Sequence, residues 1–346
     1  MNEAPSPSGD AQDGPLLDVQ GLVTEFEVSQ GLFARPARLR AVNHVDLTLE
    51  PGETLGIVGE SGCGKSTLGR SIMRLIEPTE GRILWQGRSL TELTDEQMRL
   101  ARRDMQIIFQ DPIASLDPRM TVGQIIAEPL TVFEKGLSRA ERTARVVETM
   151  DAVGLAPEMI NRFPHEFSGG QAQRIGIARA IVTRPRLVVC DEPVSALDVS
   201  IQAQIVTLLK RLQEEFNLAY LFISHDLSIV RLISDRILVL YLGQVVEIGD
   251  EDAVFDSPAH PYTQALLAAA PIPDPVIARQ RQSHPLIGDP PSPLDPPPGC
   301  VFSSRCPHVH DACRKAQPDL RTAPTGQKAA CVLVDESSVP TLPEGE

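Results

Sequence analysis

The sequence predicts an α/β protein with a doubly wound core, a helical insert and a loop-rich C-terminal extension. Three observations predict it. Short apolar runs that read as strands alternate with segments of helical spacing. A phosphate-loop pattern sits between one such strand and the helix that follows. Fifteen of the 30 prolines fall between residues 271 and 346, and proline blocks helix interiors and central strands because it lacks an amide donor.

Taken in order, residues 1–15 are polar and acidic and read as a disordered segment. They show no basic stretch leading into an apolar one, so no secretory signal is expected, and the thiols are expected to stay reduced in the cytosol. Residues 17–26 alternate as a strand. "RAVNHVDLTLE" forms a second, with Val42, Val45, Leu47 and Leu49 as its apolar set. "ETLGIVGE" is a buried strand that stops at glycine, and "STLGRSIMRLI" continues as a helix. From about 111 to 183 the periods are helical and no convincing strand appears, which marks a helical subdomain. "RLVVCDEP" and "AYLFISHD" are further buried strands, and "DRILVLYLGQVVEIGD" is a hairpin turning at Gly243. The expected organisation is a nucleotide-binding domain over 16–254, an extension over 255–335 and a flexible tail over 336–346. The prolines predict that the extension adds nothing to the sheet.

Bulk properties narrow the function. No apolar run approaches the roughly 20 residues that span a bilayer. The net charge of −14 argues against a nucleic-acid partner. The basic pair Arg102–Arg103 is too short to change that and reads as a solvated helix face.

"GESGCGKST" places Gly59, Glu60, Ser61, Gly62, Cys63, Gly64, Lys65, Ser66 and Thr67 in the pattern that cradles phosphates. The glycines let backbone amides turn inward, and the helix N-terminus adds its positive end. Lys65 would reach the β- and γ-phosphates of ATP, and Ser66 would offer a hydroxyl to Mg²⁺. A glycine-rich turn that binds nothing is the bland alternative; lysine, hydroxyl and context together outweigh it.

"LVVCDEP" ends an apolar strand in two carboxylates. Asp191 suits Mg²⁺ coordination through water. Glu192 faces the other way and is the candidate general base for an attacking water. A helix-capping pair before Pro193 is the competing reading, and the upstream phosphate loop disfavours it. His225 ends the next strand and could hold the water and Glu192 in line. Gln110 ends another apolar run and could touch Mg²⁺ or the water.

"FSGGQAQRIGIARA" adds a second anion site, a serine and two glycines opening a helix. With Gln110, "SALD" at 195–198 and His225 in this order, the chain resembles the ATP-binding-cassette (ABC) proteins over about residues 16–250. That resemblance implies an ABC-type P-loop NTPase cassette: a RecA-like core with an antiparallel β subdomain and a helical subdomain. It implies that two cassettes pair head to tail, each ATP lying between one chain's phosphate loop and the other's signature. Ser168, Gly169, Gly170 and Gln171 would meet the partner's ATP, and Asp198 would lie at the seam. Phe167 and Ala172 replace a leucine and a basic residue common in the family; neither position supplies a phosphate donor. An aromatic residue stacks on adenine in this family, and Phe26 fits better than Phe33.

"SPAHPYTQALLAAAPIPDP", "INRFPHEFSGG" and "VSALDVSIQAQI" resemble the peptide and nickel importer branch, closest to F-type ATPase subunits of oligopeptide or dipeptide permeases. The resemblance implies a D-type ATPase partner in a heterodimer, two membrane permease subunits, an extracytoplasmic substrate-binding protein and a place on the cytoplasmic face of the inner membrane. Nickel, another small solute, or a non-transport ABC role are the alternatives. The His260-Pro261-Tyr262 stretch reads as a structural turn.

Cys300, Cys306, Cys313 and Cys331 occupy 32 residues of the extension. Reduced surroundings argue against disulfides. The spacing lacks the paired knuckles usual for zinc, and alone leaves zinc, an iron–sulfur cluster and unliganded thiols open, with His308 and His310 as competitors. The family resemblance implies a 4Fe–4S cluster held by these four thiolates. Cys63 and Cys190 fall inside the nucleotide core.

Overall fold

The computed structural model describes residues 14–29, 36–269 and 288–335. Residues 1–13, Phe33 and the tail from 336 lie outside them.

Strands β1 (Leu17–Val28) and β2 (Ala37–Leu49) pair antiparallel, Leu17 opposite Leu49. The chain then enters the second sheet at β3 (Thr54–Val58), and α1 (Lys65–Ile72) follows the phosphate loop. β4 (Glu80–Trp85) returns to β1, and β5 (Arg88–Ser89) completes an antiparallel sheet in the order β2–β1–β4–β5. The sequence reading did not single out β4 or β5. Three exposed residues open β4 and β5 has only two residues, so neither carries a period-2 signal.

Helix α2 (Asp95–Ala101) leads to β6 (Met105–Ile108). Three helices follow, α3 (Val122–Phe133), α4 (Arg139–Ala152) and α5 (Gly169–Ile181). The start signals are written locally. Thr94, Thr121, Ser138 and Ser168 each accept from the amide three residues on, and Gln97, Gln124, Glu141 and Gln171 reach back. Next come β7 (Leu187–Asp191), α6 (Val199–Phe216), β8 (Ala219–Ile223), α7 (Leu227–Ile233), β9 (Arg236–Tyr241) and β10 (Gln244–Asp250). Every residue of β3, β7 and β8 is buried. Parallel strands covered on both faces read as unbroken apolar runs for this reason. Leu242 and Gly243, both at positive φ, turn β9 into β10.

The extension departs from expectation. β11 (Arg321–Thr322) and β12 (Lys328–Ala329) join the large sheet, whose order is β11–β12–β10–β9–β3–β8–β7–β6. Ala329 pairs with Glu247 and Lys328 with Ile248. Proline excludes itself from a ladder but not its neighbours: Pro318 and Pro324 lie outside these two-residue strands, which fit at the edge.

Short helices α8 (Glu251–Asp256) and α9 (Pro261–Ala269) lead into the extension. Pro261 opens α9, where a missing amide costs nothing. The preceding turn rests on Glu247, fully buried on β10, whose carboxylate accepts from the amides of Ala259 (2.7 Å) and His260 (3.0 Å). Burial pushes this carboxyl up, against the pull of those amides. His260 is buried too; its Nδ1 accepts from the Tyr262 amide (3.0 Å), and burial holds its imidazole down at about 3, so the ring is neutral. Phe302 then packs on Tyr241 and Tyr262, ring centres 5.4 Å from each. These rings belong to the core that also holds Val58 at the end of β3 and much of the helical segment. Among the described residues no helix is long and apolar enough to cross a membrane.

Glu247→Ala leaves two buried amides unpaired and should cost about 2–4 kcal/mol. Urea unfolding measures the loss, and limited proteolysis should cut first beyond residue 255. Glu247→Gln, which keeps one acceptor, should lose less.

Candidate functional site

Strand order explains how residues far apart in the chain meet. β3, β8, β7 and β6 lie side by side and parallel. Their C-terminal ends deliver Gly59, His225, Asp191–Glu192 and Gln110 to one edge of the sheet, where open α/β sheets bind ligands.

The phosphate loop is held from two sides. The Gly243 amide in the β9–β10 turn donates to Cys63 O (2.8 Å), and the Asn43 amide of β2 donates to Gly243 O (2.8 Å). Gly64 lies at φ 109°, and a Cβ there would stand 2.1 Å from Ala41 O. Gly62, at φ 78°, has open space around it. Ser61 and Gly62 are exposed, Thr67 is half-buried on α1, and Cys63 is buried. Burial pushes the Cys63 thiol up, against the nearby Lys65 ammonium. Lys65 is buried and donates to Gly59 O (2.8 Å) and Glu60 O (2.9 Å).

Asp191 is fully buried and accepts from the Ser66 hydroxyl (2.6 Å). It also pairs with Arg70 of α1 (3.0 Å), a partner the sequence reading missed because no motif spacing links the two. Glu192 follows at φ 49°, a left-handed conformation that costs a non-glycine residue about 1 kcal/mol or more. That backbone aims its carboxylate at the neighbouring strand ends. Oε2 accepts from Gln110 Nε2 (2.9 Å) and lies 3.4 Å from His225 Nδ1. The structure thus brings Gln110, Glu192 and His225 together.

Ser168 caps α5, and Gly169 and Gly170 form its first turn. A Cβ at Gly170 would meet Ile201 of α6 at 2.7 Å. Asp198 caps α6, accepting from the Ile201 amide (3.1 Å) and the Ser200 hydroxyl (2.6 Å). That hydroxyl holds the Asp198 carboxyl below its usual range. The two helix starts therefore sit together, with Ser168, Gln171 and Asp198 each committed to local capping bonds. Phe26, near the end of β1, is 37% exposed and opposite Leu39 of β2.

The extension reaches the phosphate loop as well, which no motif announced. The Glu60 amide donates to Tyr262 Oη (2.9 Å). Arg305 donates from both terminal nitrogens to the two Glu60 oxygens, 2.9 and 3.1 Å. One of those nitrogens also lies 3.4 Å from Tyr241 Oη.

Cys300, Cys306, Cys313 and Cys331 line one small cavity of about 10 Å³, with His260, Phe302 and His308. The expected ready-made ligand set is not there: among the described residues no group of three or more His, Cys, Asp or Glu is arranged as a metal site. Cys300 and Cys313 belong to the main core and Cys331 to a small separate cluster. Burial pushes the thiols of Cys306 and Cys331 up to about 12 and about 11, so they are protonated near neutrality. Cys63 and Cys190 are buried elsewhere, in the nucleotide core.

Known proteins resemble this chain over most of its length. The family described as ABC transporter matches residues 42–195, and the family described as oligopeptide/dipeptide transporter, C-terminal region, matches residues 246–313. The oligopeptide transport ATP-binding protein OppF of Haemophilus influenzae is 52% identical over 322 residues, 92% of this chain and 97% of that protein. Its counterpart in Escherichia coli is 51% identical over 92% of this chain and 96% of its own length. Among solved structures, the ATP-binding cassette MJ0796, a dimer in a post-hydrolysis state bound to ADP and Pi, aligns with a TM-score of 0.61 and 30% identity. It covers 68% of this chain and 98% of its own length.

Gly64→Ala should distort the phosphate loop and weaken nucleotide binding at least about tenfold, since its new Cβ would meet backbone. Gly62→Ala, strained in φ but unobstructed, should lose about 1–2 kcal/mol of loop stability and much less affinity. Titration with a fluorescent ATP analogue separates the two.

Proposed function

We propose a mechanism from one premise: this chain belongs to the ABC transporter family, among the ATP-binding subunits of oligopeptide/dipeptide importers. It is the ATP-hydrolysing subunit of an oligopeptide importer. The convergence of Gln110, Glu192 and His225 beside Asp191 carries the catalytic assignment.

Amides of residues 61–67 and the Lys65 ammonium bind the phosphates of ATP, and Phe26 stacks on the adenine. The short Ser66–Asp191 contact places a hydroxyl and a carboxylate together, a donor set that suits Mg²⁺, with Gln110 close by. When bound, Mg²⁺ would neutralise charge on the β- and γ-phosphates. Glu192 accepts the proton of the attacking water as oxygen bonds to the γ-phosphorus and ADP leaves. His225 and Gln110, both on Glu192 Oε2, hold that carboxylate and the water in line.

Ser168, Gly169, Gly170 and Gln171 close on ATP carried by a second cassette, with Asp198 at the seam. In this reading the second cassette is a D-type subunit and this chain the F-type one of a heterodimer. The pair docks on two membrane permeases at the cytoplasmic face of the inner membrane and serves an external peptide-binding protein. ATP draws the cassettes together and hydrolysis releases them.

The four cysteines are proposed to hold a 4Fe–4S cluster as a staple for the proline-rich extension. The chemistry of the donor set supports this, since all four thiols line one cavity. Ligation must displace protons from Cys306 and Cys331, so loading should fall as the pH is lowered.

Glu192→Gln should lower turnover about 10²- to 10⁴-fold while leaving ATP binding intact. The closed cassette pair should then accumulate on gel filtration with ATP. Wild-type turnover in this variant would remove Glu192 from its role. Anaerobic purification with iron, sulfide and zinc analysis tests the staple: iron with sulfide supports it, and zinc or neither overturns it.

A further inference from the structure

We propose that Arg305, seconded by Tyr262, is a positioning residue for ATP: from the C-terminal extension it sets the entrance of the phosphate loop. This rests on the ATP-binding reading of that loop.

Every polar group of Glu60 is engaged. Its amide donates to Tyr262 Oη, its carboxylate takes both nitrogens of Arg305, and its carbonyl accepts from Lys65 Nζ. Two of these three attachments come from residues 202 and 245 positions away. The third belongs to the ammonium proposed to reach the β- and γ-phosphates. The orientation of the Glu60 peptide thus links the extension to the lysine.

The Arg305 side chain is 4% exposed and Glu60 22%. A bidentate pair so shielded is a strong, directional contact, and losing one partner leaves a poorly solvated charge. Here that charge would be a carboxylate at the mouth of an anion site, where it repels phosphate. Arg305 therefore both fixes the peptide and cancels the charge. The rest of the extension holds the arginine in place. Phe302, three residues earlier, packs on Tyr241 and Tyr262, and Cys306 follows directly.

Arg305 and Tyr262 touch the loop rather than the reacting atoms. Their loss should weaken ATP binding in ground and transition state alike, raising KM while leaving kcat nearly unchanged. With the full chain in its assembled transporter, Arg305→Ala should raise the KM for ATP about tenfold or more, and Arg305→Lys should recover part of that. Tyr262→Phe keeps the ring and removes only the hydroxyl; KM should rise about threefold while the melting temperature falls by only a few degrees. In the double variant Arg305→Ala, Glu60→Gln, the repelling charge is gone, and affinity should return to that of Glu60→Gln alone. Wild-type KM in folded Arg305→Ala, or no rescue by Glu60→Gln, would overturn the proposal. Should Arg305→Ala fail to fold, an unchanged KM in both Arg305→Lys and Tyr262→Phe would overturn it equally. Failure of the wild-type chain to bind ATP, with Lys65→Ala indistinguishable from it, would instead refute the nucleotide reading.

Discussion

A loop that wraps an anion with its own amides leaves almost no room for side chains, and here that room is fixed from outside. Ala41 O of β2 stands where a Cβ on Gly64 would be, and Gly243 in the β9–β10 turn holds the Cys63 carbonyl. The phosphate loop is therefore a junction where the antiparallel sheet and the parallel sheet clasp the same nine residues. Lys65 and α1 take their direction from it, and through Ser66 so does the Asp191 carboxylate. The hydrogen bonds that tie Asn43, Gly243 and Cys63 together are backbone to backbone and cannot be repacked by a rotamer change.

The parallel strand order does the remaining work. Gln110, Glu192 and His225 come from three adjacent strand ends, so a few ångströms separate residues more than 80 positions apart in sequence. Glu192 holds a left-handed backbone to present its carboxylate between the other two. A strained non-glycine residue persists only where its surroundings over-determine it, and the fully buried β7 before it supplies that constraint.

The sequence made some of this readable and hid the rest for physical reasons. The phosphate loop and the carboxylate pair were legible because each is a local pattern in which consecutive residues bear on one another. The same locality made β3, β7 and β8 plain, as unbroken apolar runs. Arg70 against Asp191 and Arg305 against Glu60 were not legible: an ion pair between distant segments leaves no periodicity. Strands β5, β11 and β12 span two residues each, below the length at which alternation exists. The cysteine spacing gave four candidate ligands. It could not show that they share a cavity while packing into two separate clusters.

The distance in sequence between Glu60 and Arg305 also orders events on the ribosome. The two are 245 residues apart, and at about 5–20 residues per second Arg305 is made roughly 12–50 seconds after Glu60. In the last part of that interval, once β9 is complete at Tyr241 and 64 residues before Arg305, the nascent cassette can bury its parallel strands while Glu60 still lacks its guanidinium. The newborn chain thus passes through a stage with a folded core and an unfinished loop entrance, and its last contacts arrive with the proline-rich segment.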